Sequence, residues 1–128
     1  MLKSMLFAVA LLAPLPAFAE DWVQLMESED GSLFWYDRDS VRVEGGIASF
    51  WIKTKHTKVE PGEAIATRTL EQIDCAGSQI RLREMINLDA KDVELDRFSL
   101  DDQQTFWVPI EADTLAHIKQ KTVCPKAG

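Results

Sequence analysis

The sequence predicts an α+β fold, a meandering antiparallel β-sheet of about six strands with one C-terminal α-helix packed on it. Short segments of alternating apolar and polar residues follow one another, with turn residues between them and no helical segment to connect parallel strands. Residues 65–88 form two alternating arms around residues 75–78, as expected for a hairpin. A helical pattern lies near the end, at residues 114–123.

The first nineteen residues have the layout of a secretory signal peptide. A positive charge near the start is followed by an apolar stretch at residues 5–12 and by the small residues of Ala-Phe-Ala at 17–19. We expect cleavage before Glu20 and a single exported domain over residues 20–128. A membrane anchor is the alternative, but an apolar stretch this short does not comfortably span ~30 Å of hydrocarbon.

The first half of the exported part contains several alternating segments separated by turn residues. Gly31, Gly45-Gly46 and Pro61-Gly62 mark the turns. Strands are therefore predicted at residues 22–27, 33–37, 41–44 and 47–57.

The central hairpin is predicted from its cross-strand pattern. If Ala76-Gly77 is a two-residue turn, Ile73 faces Ile80 and Thr67 faces Ile86 on one side of the sheet. The other side then carries polar and charged residues: Arg68, Gln72, Asp74, Arg81 and Arg83.

After residue 88 the pattern is weaker. Residues 89–102 are acidic and are predicted to form a loop with a short strand, and residues 105–108 to form the last strand, stopped by Pro109. Asp113 is the predicted N-cap of a helix over residues 114–123.

The predicted helix has one apolar stripe and a basic C-terminal end. Leu115, Ile118 and Thr122 share the stripe. Lys119 and Lys121 lie near the C-terminus, where a positive charge complements the helix dipole.

The two cysteines of the chain, Cys75 and Cys124, are predicted to form one disulfide. An exported chain folds in an oxidising compartment, which favours a bridge over two free thiols. Closing a loop of about 50 residues stabilises a domain by roughly 4 kcal/mol in the chain-entropy model. A redox pair is the alternative, but the chain has no Cys-x-x-Cys motif.

The formal net charge of −7 argues against a nucleic-acid partner, because phosphate neutralisation needs a basic face. Five basic residues nevertheless share one predicted side of the sheet: Lys53, Lys55, Arg68, Arg81 and Arg83. Two interpretations remain open. They pair with Glu and Gln across strands, or they form a patch for an acidic partner, a polysaccharide or a lipid headgroup.

Other candidate chemistry is weaker. Asp92, Glu94 and Asp96 supply oxygen ligands suited to calcium, but they lack the spacing of a calcium-binding loop, so a solvated acidic loop is favoured. Glu71 and Glu84 interrupt the apolar side of the hairpin, where two nearby carboxylates can act as acid and base. Neutralisation by an arginine or a place at the sheet margin is favoured. We therefore predict no catalytic residue, no metal and no cofactor.

Isolated histidines and the aromatic residues complete the candidates. His56 and His117 occur outside any metal or catalytic motif and are interpreted as surface residues. The tryptophans are interpreted mostly as core, with the possibility that an exposed one anchors a partner: Trp22, Trp35, Trp51 and Trp107.

An ordered set of motifs resembles the bacterial surface-adhesin protein E family. The set extends over most of the exported chain, and no single motif in it is distinctive. Its members are Trp35-Tyr36-Asp37, Asp39-Ser40-Val41, Phe50-Trp51-Ile52-Lys53, Glu71-Gln72-Ile73-Asp74-Cys75, Arg81 or Arg83, Trp107-Val108-Pro109-Ile110 and Val123-Cys124.

The resemblance implies an exported antiparallel sheet with a C-terminal helix and a bridged pair of cysteines. It also implies a non-enzymatic surface adhesin that binds host matrix proteins such as laminin and vitronectin and can form a homodimer. One departure is the lack of a lipid-accepting cysteine after the apolar segment. This departure keeps open a second hypothesis, a soluble periplasmic accessory or structural protein that binds an envelope component.

Overall fold

The computed structural model describes residues 20–126, so the predicted signal peptide, residues 1–19, lies outside the described residues. A short 3-10 turn (Arg38–Ser40) connects the second strand to the third. The helix α1 (Leu115–Val123) follows the last strand. The strands are β1 (Trp22–Glu27), β2 (Leu33–Asp37), β3 (Arg42–Glu44), β4 (Ile47–Lys55), β5 (Ala66–Asp74), β6 (Gln79–Leu88), β7 (Glu94–Ser99) and β8 (Val108–Pro109).

All strands belong to one antiparallel sheet with the order β1-β2-β4-β5-β6-β7, in which β3 pairs with β4 and β8 with β6. The predicted fold class is therefore confirmed, although the described part of the chain has eight strands and about six were predicted. The last two strands are exposed along their whole length, and β8 has only two residues, so the sequence marks them only weakly. Residues 20–126 contain no helix long and apolar enough to cross a membrane.

Helix α1 lies on one face of the sheet and closes the main core. Ala48, Phe50 and Ile52 alternate along β4 and pack with Ile73 of β5 and Val123 of α1. All five are at most 6% exposed. Burying a large apolar side chain such as that of Phe50 or Ile52 contributes roughly 1.5–3 kcal/mol.

The disulfide joins α1 to the central hairpin. Cys75 follows β5 and Cys124 follows α1, and their sulfurs are 2.06 Å apart with a Cα–Cα distance of 5.8 Å. The predicted bridge is confirmed. It fixes the end of the helix above the end of the strand.

The central hairpin has the predicted pairing at its tip and a different one further on. Residues 75–78 form a four-residue turn, and Ile73 pairs with Ile80 as predicted. A bulge then leaves Arg83 as an extra residue on β6, so Arg68, and not Thr67, pairs with Ile86. A bulge shifts the register by one residue, which the alternation of a single strand does not reveal.

Two predictions near the C-terminus are wrong in detail. The N-cap of α1 is Thr114, whose hydroxyl accepts a hydrogen bond from the His117 amide, whereas Asp113 lies in the left-handed region with φ 62°. The buried positions of α1 are Lys119 and Val123, not Ile118 and Thr122. The helix therefore turns a lysine toward the sheet.

The last strand is shorter than predicted and lies later. It consists of Val108–Pro109 and pairs with the start of β6. Thr105 instead donates a side-chain hydrogen bond to the Leu82 carbonyl (2.6 Å). Pro109 is the last residue of the strand and belongs to it, because a proline at a sheet edge needs no donor for the ladder.

Candidate binding face

The two carboxylates considered as an acid–base pair are on opposite faces of the sheet. Glu71 points toward α1 and accepts hydrogen bonds from Lys119 (2.7 Å) and from the Thr69 hydroxyl (2.6 Å). Glu84 pairs on the other side with Arg97 at 2.7 Å. The bulge in β6 separates them, so the predicted proximity is wrong and the favoured neutralisation is found for Glu84.

The face of the sheet opposite α1 carries the tryptophans of the chain. Trp35 pairs with Lys53, which pairs in turn with Arg68, and directly paired residues point to the same side. Gln24 of β1 also pairs with Trp35. Trp22 lies two residues before Gln24 and Trp51 two residues before Lys53, so both point to this side as well. We call this surface the tryptophan face; its residues are Trp22, Trp35, Trp51, Trp107, Lys53, Arg68 and Arg81.

The tryptophan face has no second layer over it in the part of the chain that is described. Helix α1 contacts the other face, and all strands belong to the same sheet. The four tryptophans are only partly buried. Trp51 packs over Ala66, Ile86 and Leu88, which form a small second core cluster. The tryptophans therefore cover the sheet and also meet the solvent.

One end of the tryptophan face is organised around Arg68. Its guanidinium carbon lies 5.6 Å from the centre of the Trp22 ring, and its Nη1 is 3.3 Å from Glu20. The Trp22 indole N–H donates to the other Glu20 carboxylate oxygen at 2.9 Å. The Arg68 Nε is buried and has no hydrogen-bond partner within residues 20–126.

The other end is organised around Arg81. Its guanidinium carbon lies 4.3 Å from the centre of the Trp107 ring, a distance typical of a cation–π contact. Its Nε donates to the Gln72 side-chain oxygen at 2.8 Å, and the Gln72 amide donates to the Ser49 hydroxyl at 3.0 Å. These bonds hold the guanidinium plane against the ring.

The remaining members of the predicted basic patch are held differently. Lys53 lies 3.4 Å from Asp92, and Lys55 is exposed at the end of β4. Arg83, the extra residue of the bulge, donates to Asp102 at 2.7 Å. That guanidinium holds the pKa of the Asp102 carboxyl below its usual value. Lys53, Lys55, Arg68 and Arg81 thus share one side of the sheet but are spread along it. Most of the five basic residues have partners in the same chain.

The acidic loop considered for calcium is engaged in other contacts. Glu94 accepts a hydrogen bond from Arg97, which lowers the pKa of its carboxyl, and Asp96 accepts one from the Asn87 amide at 2.7 Å. Residues 20–126 contain no group of three His, Cys, Asp or Glu side chains arranged to hold a metal ion.

Comparison with known proteins identifies the family. The model of the family described as Surface-adhesin protein E matches residues 22–125. The chain belongs to the surface-adhesin protein E family. The match confirms the resemblance of the ordered motifs and extends over nearly all the described residues. No curated protein sequence matches the chain.

Solved structures of protein E from Haemophilus influenzae resemble the chain in fold. One is 16% identical with a TM-score of 0.58, covering 88% of this chain and 89% of that one. A second, crystal form II, is 16% identical with a TM-score of 0.53, covering 71% and 79%. A third, from non-typeable Haemophilus influenzae, is 16% identical with a TM-score of 0.55, covering 88% and 80%. Such low identity carries the fold and not the binding residues.

Sequence reasoning missed the two stacked arginines and the buried lysine. The common side of Trp35, Trp51 and Lys53 follows from strand alternation, so the sequence alone could have predicted it. The contact between Arg81 and Trp107 could not be predicted in this way, because Trp107 lies in an irregular segment. Lys119 stands four residues from both Leu115 and Val123, and this spacing was the available signal for its burial.

Proposed function

We propose that this protein is an exported, non-enzymatic surface adhesin whose tryptophan face binds an acidic segment of a host or matrix protein. The family supports adhesion as the general role. The identity of the partner and the surface used are our proposal.

The observation that carries the proposal is the collection of all four tryptophans on the uncovered face, with a guanidinium against two of them. Tryptophan and arginine are the residues most enriched among those that dominate interface energetics. A core needs apolar side chains on the covered face, yet here all four tryptophans lie on the face without a helix. This placement favours a role in recognition.

The charges of the face indicate the kind of partner. Stacking on Trp107 leaves the edge of the Arg81 guanidinium open, and its terminal N–H groups make no hydrogen bond within residues 20–126. A stacked guanidinium with open donors suits bidentate binding of a carboxylate. The exposed Lys55 adds positive charge at the opposite end of the face, where β4 ends. We therefore favour an acidic protein segment.

A soluble periplasmic accessory role is the second candidate. Both cysteines of the sequence are joined in the bridge, so neither of these thiols carries a lipid. Protease treatment of intact cells distinguishes the candidates. Digestion of the protein supports adhesion at the surface, whereas protection until the outer membrane is opened supports the periplasmic role.

We expect the double variant Arg81→Glu/Arg83→Glu to bind an acidic partner at least about tenfold more weakly, roughly 1.4 kcal/mol, because it replaces attraction by repulsion. Binding of the purified exported protein to immobilised laminin and vitronectin measures this change. Raising the salt concentration should also weaken binding of the parent protein, because exposed charges are screened.

The matched control is Lys58→Glu/Lys121→Glu, which makes the same change in net charge at exposed residues outside the tryptophan face. It should leave the dissociation constant within about twofold of the parent, since long-range effects are screened at physiological salt. An equal loss in both double variants would contradict a role for the face. Near-ultraviolet circular dichroism verifies that each variant keeps its fold.

A further inference from the structure

One outer edge of the sheet consists of β7, the segment after it and β8, all following β6. We call residues 93–110 the β7 edge. Backbone hydrogen bonds from Leu100 to Arg83 and from Ile110 to Ser78 keep this chain along β6 beyond the two strands. Strand β7 is the last in the sheet order, so one side of its backbone faces outward. An outward backbone of this kind is a template for another strand.

The β7 edge also concentrates exposed apolar side chains. Residues 20–126 contain six exposed large hydrophobic residues, and five of them lie on this edge. They are Val93, Leu95, Phe98, Phe106 and Val108, with exposed fractions between 44% and 73%. Sheet edges in soluble proteins are usually protected by lysines, prolines or short length. A clustered set of this kind is typical of an interaction surface.

The charge around the β7 edge is negative. Residues 89–102 include six acidic and two basic residues. One of the two bases, Arg97, is already bound to Glu84 and Glu94. A partner with positive charge is therefore favoured here, and a second copy of the same acidic edge is disfavoured by repulsion. This charge is opposite to that of the tryptophan face.

We infer that the β7 edge binds an extended, basic segment of a partner protein, which adds a strand alongside β7. Main-chain hydrogen bonds to the outward side of β7 provide the affinity, and alternate apolar side chains of the segment contact Leu95 on one face of the sheet. The basic side chains between them point to the other face, where the carboxylate of Asp96 and the ring of Phe98 lie. The site is separate from the tryptophan face and does not depend on the function proposed for it.

A synthetic peptide of alternating valine and lysine tests this inference with the exported protein. We expect saturable binding and at least tenfold slower amide hydrogen exchange at residues 94–99. Leu95→Asn/Phe98→Asn should weaken binding at least tenfold. Val43→Asn is the matched control, because Val43 is the sixth exposed hydrophobic residue and lies off this edge. Its dissociation constant should equal that of the parent.

Two control peptides separate strand addition from simple attraction. A valine–glutamate peptide should bind at least tenfold more weakly than the lysine peptide. A lysine peptide methylated on its backbone nitrogens keeps its charge but loses its donors, and it should also bind at least tenfold more weakly. Equal binding of all three peptides overturns the inference. Exchange protection outside β7, or occupation of the edge by a second copy in sedimentation experiments, overturns it as well.

Discussion

The variant Cys124→Ser is expected to melt about 15 °C or more below the parent protein. The bridge joins residues 49 apart in sequence, and in the chain-entropy model a loop of that length contributes about 4 kcal/mol. Each kcal/mol shifts the melting temperature of a domain of about this size by roughly 4 °C or more. Differential scanning calorimetry under oxidising conditions measures the shift.

The structure explains why the loss should be large. Helix α1 has nine residues, and an isolated helix of this length is marginal in water. Without the bridge it is held by Val123 in the core and by the ion pair of Lys119. The doubly substituted Cys75→Ser/Cys124→Ser protein is the control and should melt at the same temperature as the single variant. A fall of only one or two degrees would mean that the bridge contributes little.

The second large effect is expected at the buried ion pair. Replacing Lys119 by methionine should destabilise the domain by about 3–5 kcal/mol, because it leaves the Glu71 carboxylate buried without its charge partner. The two side chains are only 10% and 11% exposed. Thr69 then remains as the neighbour that donates to Glu71. Chemical denaturation at neutral pH measures the loss.

A double-mutant cycle isolates the pair itself. Glu71→Met removes the acid and the hydrogen bond from Thr69, and the double variant removes both charges. The Glu71→Met variant and the double variant both lose the hydrogen bond from Thr69, so its contribution cancels in the cycle. We expect the double variant to be more stable than Lys119→Met alone, since no unpaired charge remains. Lys121→Met, at an exposed position of α1, should change stability by less than about 0.5 kcal/mol. Strict additivity of the two single losses would contradict a coupled pair.

The fold class followed from local patterns, and the bridge followed from the presence of two cysteines in a chain with an export signal. Alternation in β4 and β5, turn residues between strands and the helical segment near Cys124 each act over a few residues, so the sequence displays them directly. The register of the central hairpin away from its turn could not be predicted from local patterns. It depends on Arg83 being an extra residue on β6, opposite no residue of β5. A bulge of this kind is a property of the strand pair, and the pattern of one strand does not show it.

In the candidate site, too, some features followed from the local sequence pattern and others depended on tertiary contacts. The basic residues Lys53, Arg68 and Arg81 were correctly placed on one side of the sheet by strand alternation. Their stacking on tryptophans depends on where β1 and the segment before β8 meet the sheet, which is a tertiary property. Lys119 was interpreted as a charge near the helix C-terminus that complements the helix dipole. Its partner, 48 residues away, was not visible locally.

The two faces of the sheet therefore have different roles in this account. One face is closed by α1, which is fixed by the disulfide and by the pair of Glu71 and Lys119. The other presents tryptophans and arginines to the solvent. A rigid sheet under such a surface reduces the entropy lost on binding, since the side chains are already ordered by their contacts. The residues that stabilise the domain and the residues proposed to bind a partner therefore lie on opposite faces of the sheet.

Hydroxyl-radical footprinting of the exported protein, free and bound to laminin or vitronectin, tests the central proposal most directly. The account predicts that binding lowers oxidation at Trp22, Trp35, Trp51 and Trp107 and leaves α1 unchanged. Unchanged oxidation of these tryptophans in the complex, or protection confined to α1, would contradict it. Failure to bind any matrix protein would contradict the adhesive function itself.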